Sequence, residues 1–104
     1  MNPRVKLKFL RLYNNNIGDL GCYALSQVLL TSSIKDSLEE IDLQKNYITY
    51  HGLKHLAVTL ALNDKLQIFN ISNNKIGSEG GCLLATVITH NKSLKTIDIS
   101  KIDN

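Results

Sequence analysis

The chain has 104 residues, of which 12 are lysine or arginine, 9 are aspartate or glutamate and 43% are hydrophobic. This length allows one domain, and a formal net charge of +3 is too small to indicate nucleic-acid binding. No apolar run approaches the ~20 residues that a transmembrane helix needs, and the first residues lack the apolar segment of a secretory signal. The sequence therefore predicts no membrane insertion and no secretion.

A single spacing of apolar residues and asparagine recurs along the chain. The three full copies are Leu7-x-x-Leu10-x-Leu12-x-x-Asn15-x-Ile17, Leu38-x-x-Ile41-x-Leu43-x-x-Asn46-x-Ile48 and Leu66-x-x-Phe69-x-Ile71-x-x-Asn74-x-Ile76. A fourth copy, Leu94-x-x-Ile97-x-Ile99, begins in register and then stops. The asparagines lie 31 and then 28 residues apart, and a period of this size predicts a repeat architecture in which each unit packs on its neighbours.

Within each copy the apolar spacing changes from the two-residue period of a strand to the three- and four-residue spacing of a helix. Strands are predicted around 10–12, 41–43, 69–71 and 97–99, and helices over about 19–31, 50–62 and 78–90. Because no hairpin turn joins the strands, we expect a parallel sheet with helices on one face and the other face open. The helix residues expected to face the core are Gly21, Leu25, Val28, Leu29, Gly52, Leu56, Thr59, Leu60, Gly80, Leu84, Val87 and Ile88.

The recurring asparagine is expected to have a structural role. Strand pairing ends where it stands, and its side chain offers donors and an acceptor to backbone groups that lose their partners there. Stacked at equivalent positions, Asn15, Asn46 and Asn74 should form a continuous column, whereas Asn63 should lie in a solvated loop. The first copy has three extra residues within 31–37, which predict a small surface bulge before Leu38.

These motifs resemble the leucine-rich repeat family, and the glycine-containing helix and the 28-residue period resemble its ribonuclease-inhibitor-like subtype. The resemblance covers residues 7 to about 99 and implies an α/β fold, a right-handed leucine-rich-repeat solenoid that forms a horseshoe segment of about 3.5 repeats. Parallel strands would line its concave face and helices its convex face. The implied repeats are 7–37, 38–65, 66–93 and a partial unit, 94–104, in a single domain or fragment.

The same resemblance implies a noncatalytic protein–protein interaction or scaffold module that belongs to a larger protein or assembly. The alternative it leaves open is a fragment of a GTPase-regulating protein, similar to the relatives that activate the GTPase Ran. The implied partners are proteins of unknown identity, in a cytoplasmic setting that includes cytoskeletal and ciliary assemblies.

The open face of the sheet is the candidate binding surface. The residues expected there are Phe9, Arg11, Tyr13, Glu40, Asp42, Gln44, Ile68, Asn70 and Asp98, with Thr96, Ser72 and Ser100 completing the cross-strand columns. Phe9, Arg11 and Tyr13 are of the types that dominate interface hot spots. Arg11 is expected to form an ion pair with Asp42, its neighbour across the strands. The other interpretation is a solvated face with no partner.

The sequence indicates no catalytic centre, metal site or cofactor. It contains no nucleophile elbow and no glycine-rich phosphate loop. His51 and His55 have a spacing that could chelate a metal, but no acidic or cysteine ligand accompanies them, so we expect exposed, unused histidines. Cys22 and Cys82 fall in different helices and are expected to be free thiols in a reducing compartment.

Both ends of the repeat array are expected to be covered by an adjacent chain or by further repeats. A terminal unit exposes one apolar flank unless a cap shields it. Only Pro3 and Val5 precede the first consensus leucine, and Ile102 stands where the fourth asparagine would fall, with no fourth helix after it.

Overall fold

Strands and helices alternate along the chain in the computed structural model, which describes residues 6–100. The strands are β1 (Phe9–Arg11), β2 (Glu40–Asp42), β3 (Ile68–Asn70) and β4 (Thr96–Asp98). The helices are α1 (Gly18–Thr31), α2 (Tyr50–Leu62) and α3 (Gly77–His90), with a short 3-10 helix (Ser33–Asp36) between α1 and β2. The three extra residues of the first copy thus lie in a segment that forms a 3-10 helix. Pro3, Val5 and Ile102 lie outside the described residues.

The four strands form one parallel sheet in the order β1-β2-β3-β4, which confirms the predicted topology. Leu10 pairs with Ile41, Ile41 with Phe69 and Phe69 with Ile97, so equivalent positions of the copies lie side by side. Each strand is centred one residue earlier than predicted. The following apolar residue still extends the pairing, since the amide of Leu43 donates to the carbonyl of Asn70 at 2.8 Å.

The hydrophobic core lies between the sheet and the helices. Ile41 and Phe69 on the strands, and Leu53 and Leu56 on α2, have no exposed side-chain surface. Each such side chain contributes roughly 1.5–3 kcal/mol relative to an exposed one. Helix α2 packs against both α1 and α3, so the second copy is covered on both sides. Among residues 6–100, no helix is long and apolar enough to cross a membrane.

Two of the helix residues predicted to be core are exposed, and the prediction was wrong for both. Val28 is 38% exposed, whereas its counterpart Thr59 in the second copy is 3% exposed. Ile88 is 52% exposed, whereas its counterpart Leu60 is 1% exposed. Val87, at the Thr59 position of α3, is 3% exposed with α2 before it, and Leu29, at the Leu60 position of α1, is 5% exposed with α2 after it. In the described part of the chain no helix precedes α1 or follows α3, so these two flanks lack that cover. Leu53 is a core residue that the predicted set omitted.

The recurring asparagines bond to the loop of the copy before them. Oδ1 of Asn46 accepts from the amides of Asn15 (2.8 Å) and Ile17 (3.1 Å). Its Nδ2 donates to the carbonyls of Leu12 (2.7 Å) and Gln44 (2.9 Å). The Asn46 side chain is fully buried, so these four bonds satisfy amide atoms of Asn46 that water does not reach.

Asn74 repeats the arrangement one copy later. Its Oδ1 accepts from the amides of Asn46 (3.0 Å) and Ile48 (2.9 Å), and its Nδ2 donates to the carbonyls of Leu43 and Ile71. Within the column, the side chains of Asn46 and Asn74 therefore bond to the backbone of the preceding copy, and the side chains do not bond to one another. Asn15 is exposed, and its Nδ2 donates to the carbonyl of Tyr13, two residues before it.

A second asparagine column stands at the ends of the helices, and the prediction that Asn63 lies in a solvated loop was wrong. Oδ1 of Asn63 accepts from the amides of Lys65 (2.8 Å) and Leu66 (2.7 Å). Its Nδ2 donates to the carbonyl of Lys35 in the preceding copy at 3.0 Å. Asn91 occupies the same position after α3, and its Nδ2 donates to the carbonyl of Asn63 at 2.7 Å. The side chains thus close the turn into the next strand and join adjacent copies.

Candidate functional site

The register of the sheet sets the residues of the open face in columns. Strand pairing aligns Phe9, Glu40, Ile68 and Thr96 in one column and Arg11, Asp42, Asn70 and Asp98 in the next. Tyr13 and Gln44 follow just beyond the strands, where the amide of Asn14 donates to the carbonyl of Gln44 at 3.0 Å. The apolar residues between these positions point to the helices, so the columns present their side chains on the other face.

Large apolar side chains are exposed on this face, chiefly at its β1 side. Phe9 is 50% exposed, Tyr13 is 51% exposed and Ile68 is 38% exposed. Aromatic side chains of this kind provide a large contact area with few rotatable bonds, which suits them to protein interfaces. Phe9 and Tyr13 lie on either side of Arg11, so the β1 side of the face combines aromatic and charged groups.

Arg11 bonds to Glu40, not to Asp42 as predicted. Its Nε lies 2.7 Å from one carboxylate oxygen of Glu40, and one terminal nitrogen lies 3.2 Å from the other. The guanidinium carbon also lies 4.9 Å from the centre of the Phe9 ring, within cation–π range. The side chain of Arg11 is therefore held in place although it is 60% exposed.

The choice of Glu40 has a physical reason. Although Asp42 is the direct cross-strand neighbour of Arg11, one of its carboxylate oxygens accepts from the Gln44 backbone amide at 3.0 Å. The Gln44 side-chain amide bonds to both oxygens of the same carboxylate. Glu40 lies on the diagonal, and its longer side chain spans the distance to the guanidinium fork. Hydrogen bonding from Arg11, which outweighs partial desolvation, lowers the pKa of Glu40 below its ordinary value.

On the β3 and β4 side of the open face, polar side chains form hydrogen bonds within the chain. Ser72 is 2% exposed, and its hydroxyl donates to Oδ1 of Asn70 at 2.8 Å and lies 3.1 Å from Oε1 of Gln44. Oδ1 of Asp98 accepts from the Ser100 amide at 2.9 Å, and bonds from Ser100 lower the pKa of Asp98. These polar groups are satisfied within the chain, whereas the exposed aromatic side chains of the face lie at its β1 side.

Just beyond the sheet, the loop between β2 and α2 exposes Lys45 and Tyr47, which the predicted binding surface does not include. Lys45 and Tyr47 adopt left-handed backbone conformations, with φ of 56° and 58°. This conformation costs about 1–2 kcal/mol for most residues, and asparagine tolerates it better. The first copy has asparagine at both equivalent positions, Asn14 and Asn16, so comparing the copies was the signal that could have identified the second loop as exceptional.

The candidate metal ligands and thiols remain apart. The rings of His55 and Tyr23 pack edge-on, with their centres 5.1 Å apart. Among residues 6–100, no group of three or more metal-binding side chains occurs. Cys22 and Cys82 are both free; the first is buried and the second exposed. Burial, with a smaller contribution from the Asp19 carboxylate, raises the pKa of Cys22 to about 12.

Comparisons with known proteins agree with this architecture. The model of a leucine-rich repeat family matches residues 5–26 and 62–85. Among 27 matching chains of solved structures is the actin-binding site 2 of leiomodin-1, with a TM-score of 0.83 and 15% sequence identity. The match covers 97% of this chain and 56% of that one, so this chain spans little more than half of the solved chain. A search of curated proteins gave no match.

At 15% identity the leiomodin-1 likeness shows a shared fold. The two matched segments begin a few residues before the first and third copies of the sequence pattern and extend into α1 and α3. Two segments of the chain thus match a leucine-rich repeat model, and the parallel strand–helix fold agrees with that likeness.

Proposed function

We propose that this chain is a noncatalytic protein-interaction module that binds its partner through the open face of the sheet. The observation that carries the proposal is the aromatic cluster at β1, where Phe9 and Tyr13 are half exposed on either side of Arg11. Arg11 is fixed by Glu40 and by the Phe9 ring, so little side-chain entropy is lost when a partner binds there.

The architecture that we propose for the whole is a right-handed solenoid of the ribonuclease-inhibitor-like subtype, with the open face as its concave side. Its repeats would be 7–37, 38–65, 66–93 and the partial unit 94–104, in a single domain or fragment. The alternation of strands and helices and the packing of α2 between α1 and α3 support this proposal. The comparisons give no specific support to the GTPase-regulating alternative.

We further propose a cytoplasmic protein whose ends are covered by neighbouring repeats or chains. Two free cysteines favour a reducing compartment, and the exposed Ile88 on the outer flank of α3 favours cover at that end. Actin is the first partner to test, because the solved leiomodin-1 structure that the fold resembles is an actin-binding site.

A photo-cross-linking experiment tests the binding face. The photoreactive residue p-benzoylphenylalanine replaces Tyr13 in one version of the chain and Val58 in the other. Val58 is 61% exposed on α2 and serves as the matched control. Each version is irradiated with purified actin, as monomer and filament, and with a cell extract. We expect cross-links from position 13 that Phe9→Ala reduces, and few from position 58. Equal or stronger cross-linking from position 58 would contradict the proposal.

A further inference from the structure

The rim, defined as Tyr13, Lys45, Tyr47 and Lys75, consists of exposed residues in the loops that follow the first three strands. The Lys45 ammonium lies 6.0 Å from the centre of the Tyr13 ring. Tyr47 follows two residues later and is 72% exposed. Lys75 belongs to the next copy, where its amide donates to the carbonyl of Ile48 at 2.9 Å, directly beside Tyr47. Three successive loops therefore contribute to one edge.

The backbone conformation of the second loop is unfavourable for two of its residues. Lys45 and Tyr47 both have positive φ, and neither lysine nor tyrosine is suited to this conformation. The asparagines at the same positions of the first loop show that the turn can be built without this strain. Neither side chain is buried, so packing in the core does not account for them. Strain of this kind concentrates at functional positions.

The charges of the rim indicate which partner it suits. Within residues 6–100, neither Lys45 nor Lys75 forms an ion pair with a carboxylate. The nearby Asp42 is occupied by Gln44. Glu79 lines the same shallow depression as Lys75 but lies beyond ion-pair distance. The rim therefore presents two uncompensated ammonium groups beside two exposed tyrosines.

We propose that this rim binds an acidic segment of the partner protein. Its carboxylates would contact Lys45 and Lys75, and its apolar or aromatic side chains would pack on Tyr13 and Tyr47. Complementary charge of this kind steers association and fixes register, while the aromatic groups contribute contact area. This inference rests on the proposed protein-binding function and extends it from the open face to its edge.

The test uses a fluorescein-labelled random copolymer of glutamate and tyrosine as the probe, at physiological ionic strength. Lys45→Gln/Lys75→Gln is compared with Lys65→Gln/Lys92→Gln. The control pair removes the same charge from exposed residues in the loops that precede β3 and β4, at the other end of the strands. By fluorescence anisotropy we expect the rim pair to weaken binding about fivefold or more and the control pair to leave it nearly unchanged. Equal losses for both pairs, or no binding of the probe, would overturn the inference.

Tyr47→Asn separates binding from folding. Asparagine relieves the left-handed strain, so the melting temperature should rise while affinity for the copolymer falls. A variant that gains stability and binds as tightly as the wild type would count against a role for Tyr47. Inorganic polyphosphate is the competing probe. If it binds more tightly than the copolymer, with the same dependence on Lys45 and Lys75, the rim recognises phosphate and the inference is overturned.

The two proposals fail in different ways. If position 13 still cross-links to a protein in a Phe9-dependent manner while the rim pair has no effect on the copolymer, the inference about the rim fails alone. If cross-linking shows no preference for position 13, the proposed binding face itself fails.

Discussion

The side chain of Asn91 donates a 2.7 Å hydrogen bond to the backbone carbonyl of Asn63, joining the ends of two successive helices. Asn63 makes the corresponding bond to the carbonyl of Lys35 one copy earlier. Two columns of asparagine thus hold adjacent copies together, one where the strands end and one where the helices end.

Alanine substitutions should show that the first asparagine column contributes more to the free energy of unfolding than the second. Asn46→Ala leaves four part-buried backbone groups without their side-chain partner and should destabilise the chain by about 1–3 kcal/mol. Asn63→Ala should also destabilise, but less, because Asn63 is only partly buried and water can replace some of its bonds. Denaturant midpoints measure both, with Gln27→Ala, an exposed change on α1, as the control. Equal midpoints for Asn46→Ala and Gln27→Ala would contradict the structural role of the first column.

Two adjacent glycines of α3 should respond to alanine with opposite signs. A Cβ added at Gly80 would lie 2.6 Å from Cβ of Ile76, so Gly80→Ala should lower the melting temperature. At Gly81 an added Cβ meets nothing within 4 Å, and alanine is favoured over glycine in a helix by up to about 1 kcal/mol. Gly81→Ala should therefore raise the melting temperature. The two variants serve as controls for each other, and a shift in the same direction for both would contradict the close approach at Gly80.

The two cysteines should differ in reactivity. The exposed Cys82 should react with a thiol reagent in the native protein, whereas burial and a raised pKa, about 12, should protect Cys22. A colorimetric thiol assay should count one fast thiol under native conditions and two after denaturation. In Cys82→Ser the fast phase should disappear. A fast native reaction in that variant would mean that Cys22 is accessible.

Asp19 should make stability depend on pH. Its carboxylate accepts from the Thr49 amide at 2.8 Å and from the Thr49 hydroxyl at 2.6 Å, which ties α1 to the start of α2. Burial raises the pKa of Asp19, but the bonds from Thr49 and Gly52 outweigh it, and the pKa lies below its ordinary value of 3.8. The stabilisation by Asp19 is therefore present well above its ordinary pKa of 3.8 and is lost as the pH falls through the lowered pKa.

The corresponding measurement compares Asp19→Asn with the wild type across this range. The variant should be less stable at neutral pH, and the difference should shrink as the solution becomes acidic. Asp64→Asn, which changes an exposed aspartate, is the control and should show little difference at any pH. A stability gap between Asp19→Asn and the wild type that stays constant down to pH values below 3.8 would contradict this assignment.

The periodic spacing alone predicted the topology, because the strand pattern and the helix pattern follow in the same order in each copy. It could not predict the partner of Arg11, since the choice between Glu40 and Asp42 depends on what else bonds to each carboxylate. It also misplaced Val28 and Ile88, because equivalent positions differ in burial according to which flank has a neighbouring helix.

Lys45 and Tyr47 were absent from the predicted surface for another reason. Periodicity identifies what the copies share, whereas Lys45 and Tyr47 stand out by differing from the asparagines of the first copy. The predicted columns of the open face follow directly from the strand register, while the fixed geometry of Arg11 depends on side-chain contacts that no spacing reveals.

In the first asparagine column, every side chain bonds to groups that come earlier in the chain. Local unfolding of one copy should therefore affect the copy before it more than the copy after it. The amides of Asn15 and Ile17 are held by Asn46, and those of Asn46 and Ile48 by Asn74. Opening the third copy would release the loop of the second, whereas opening the first copy leaves the bonds of Asn74 intact. Solvent exchange of the Ile48 amide should therefore report on order in a segment 26 residues further along the chain.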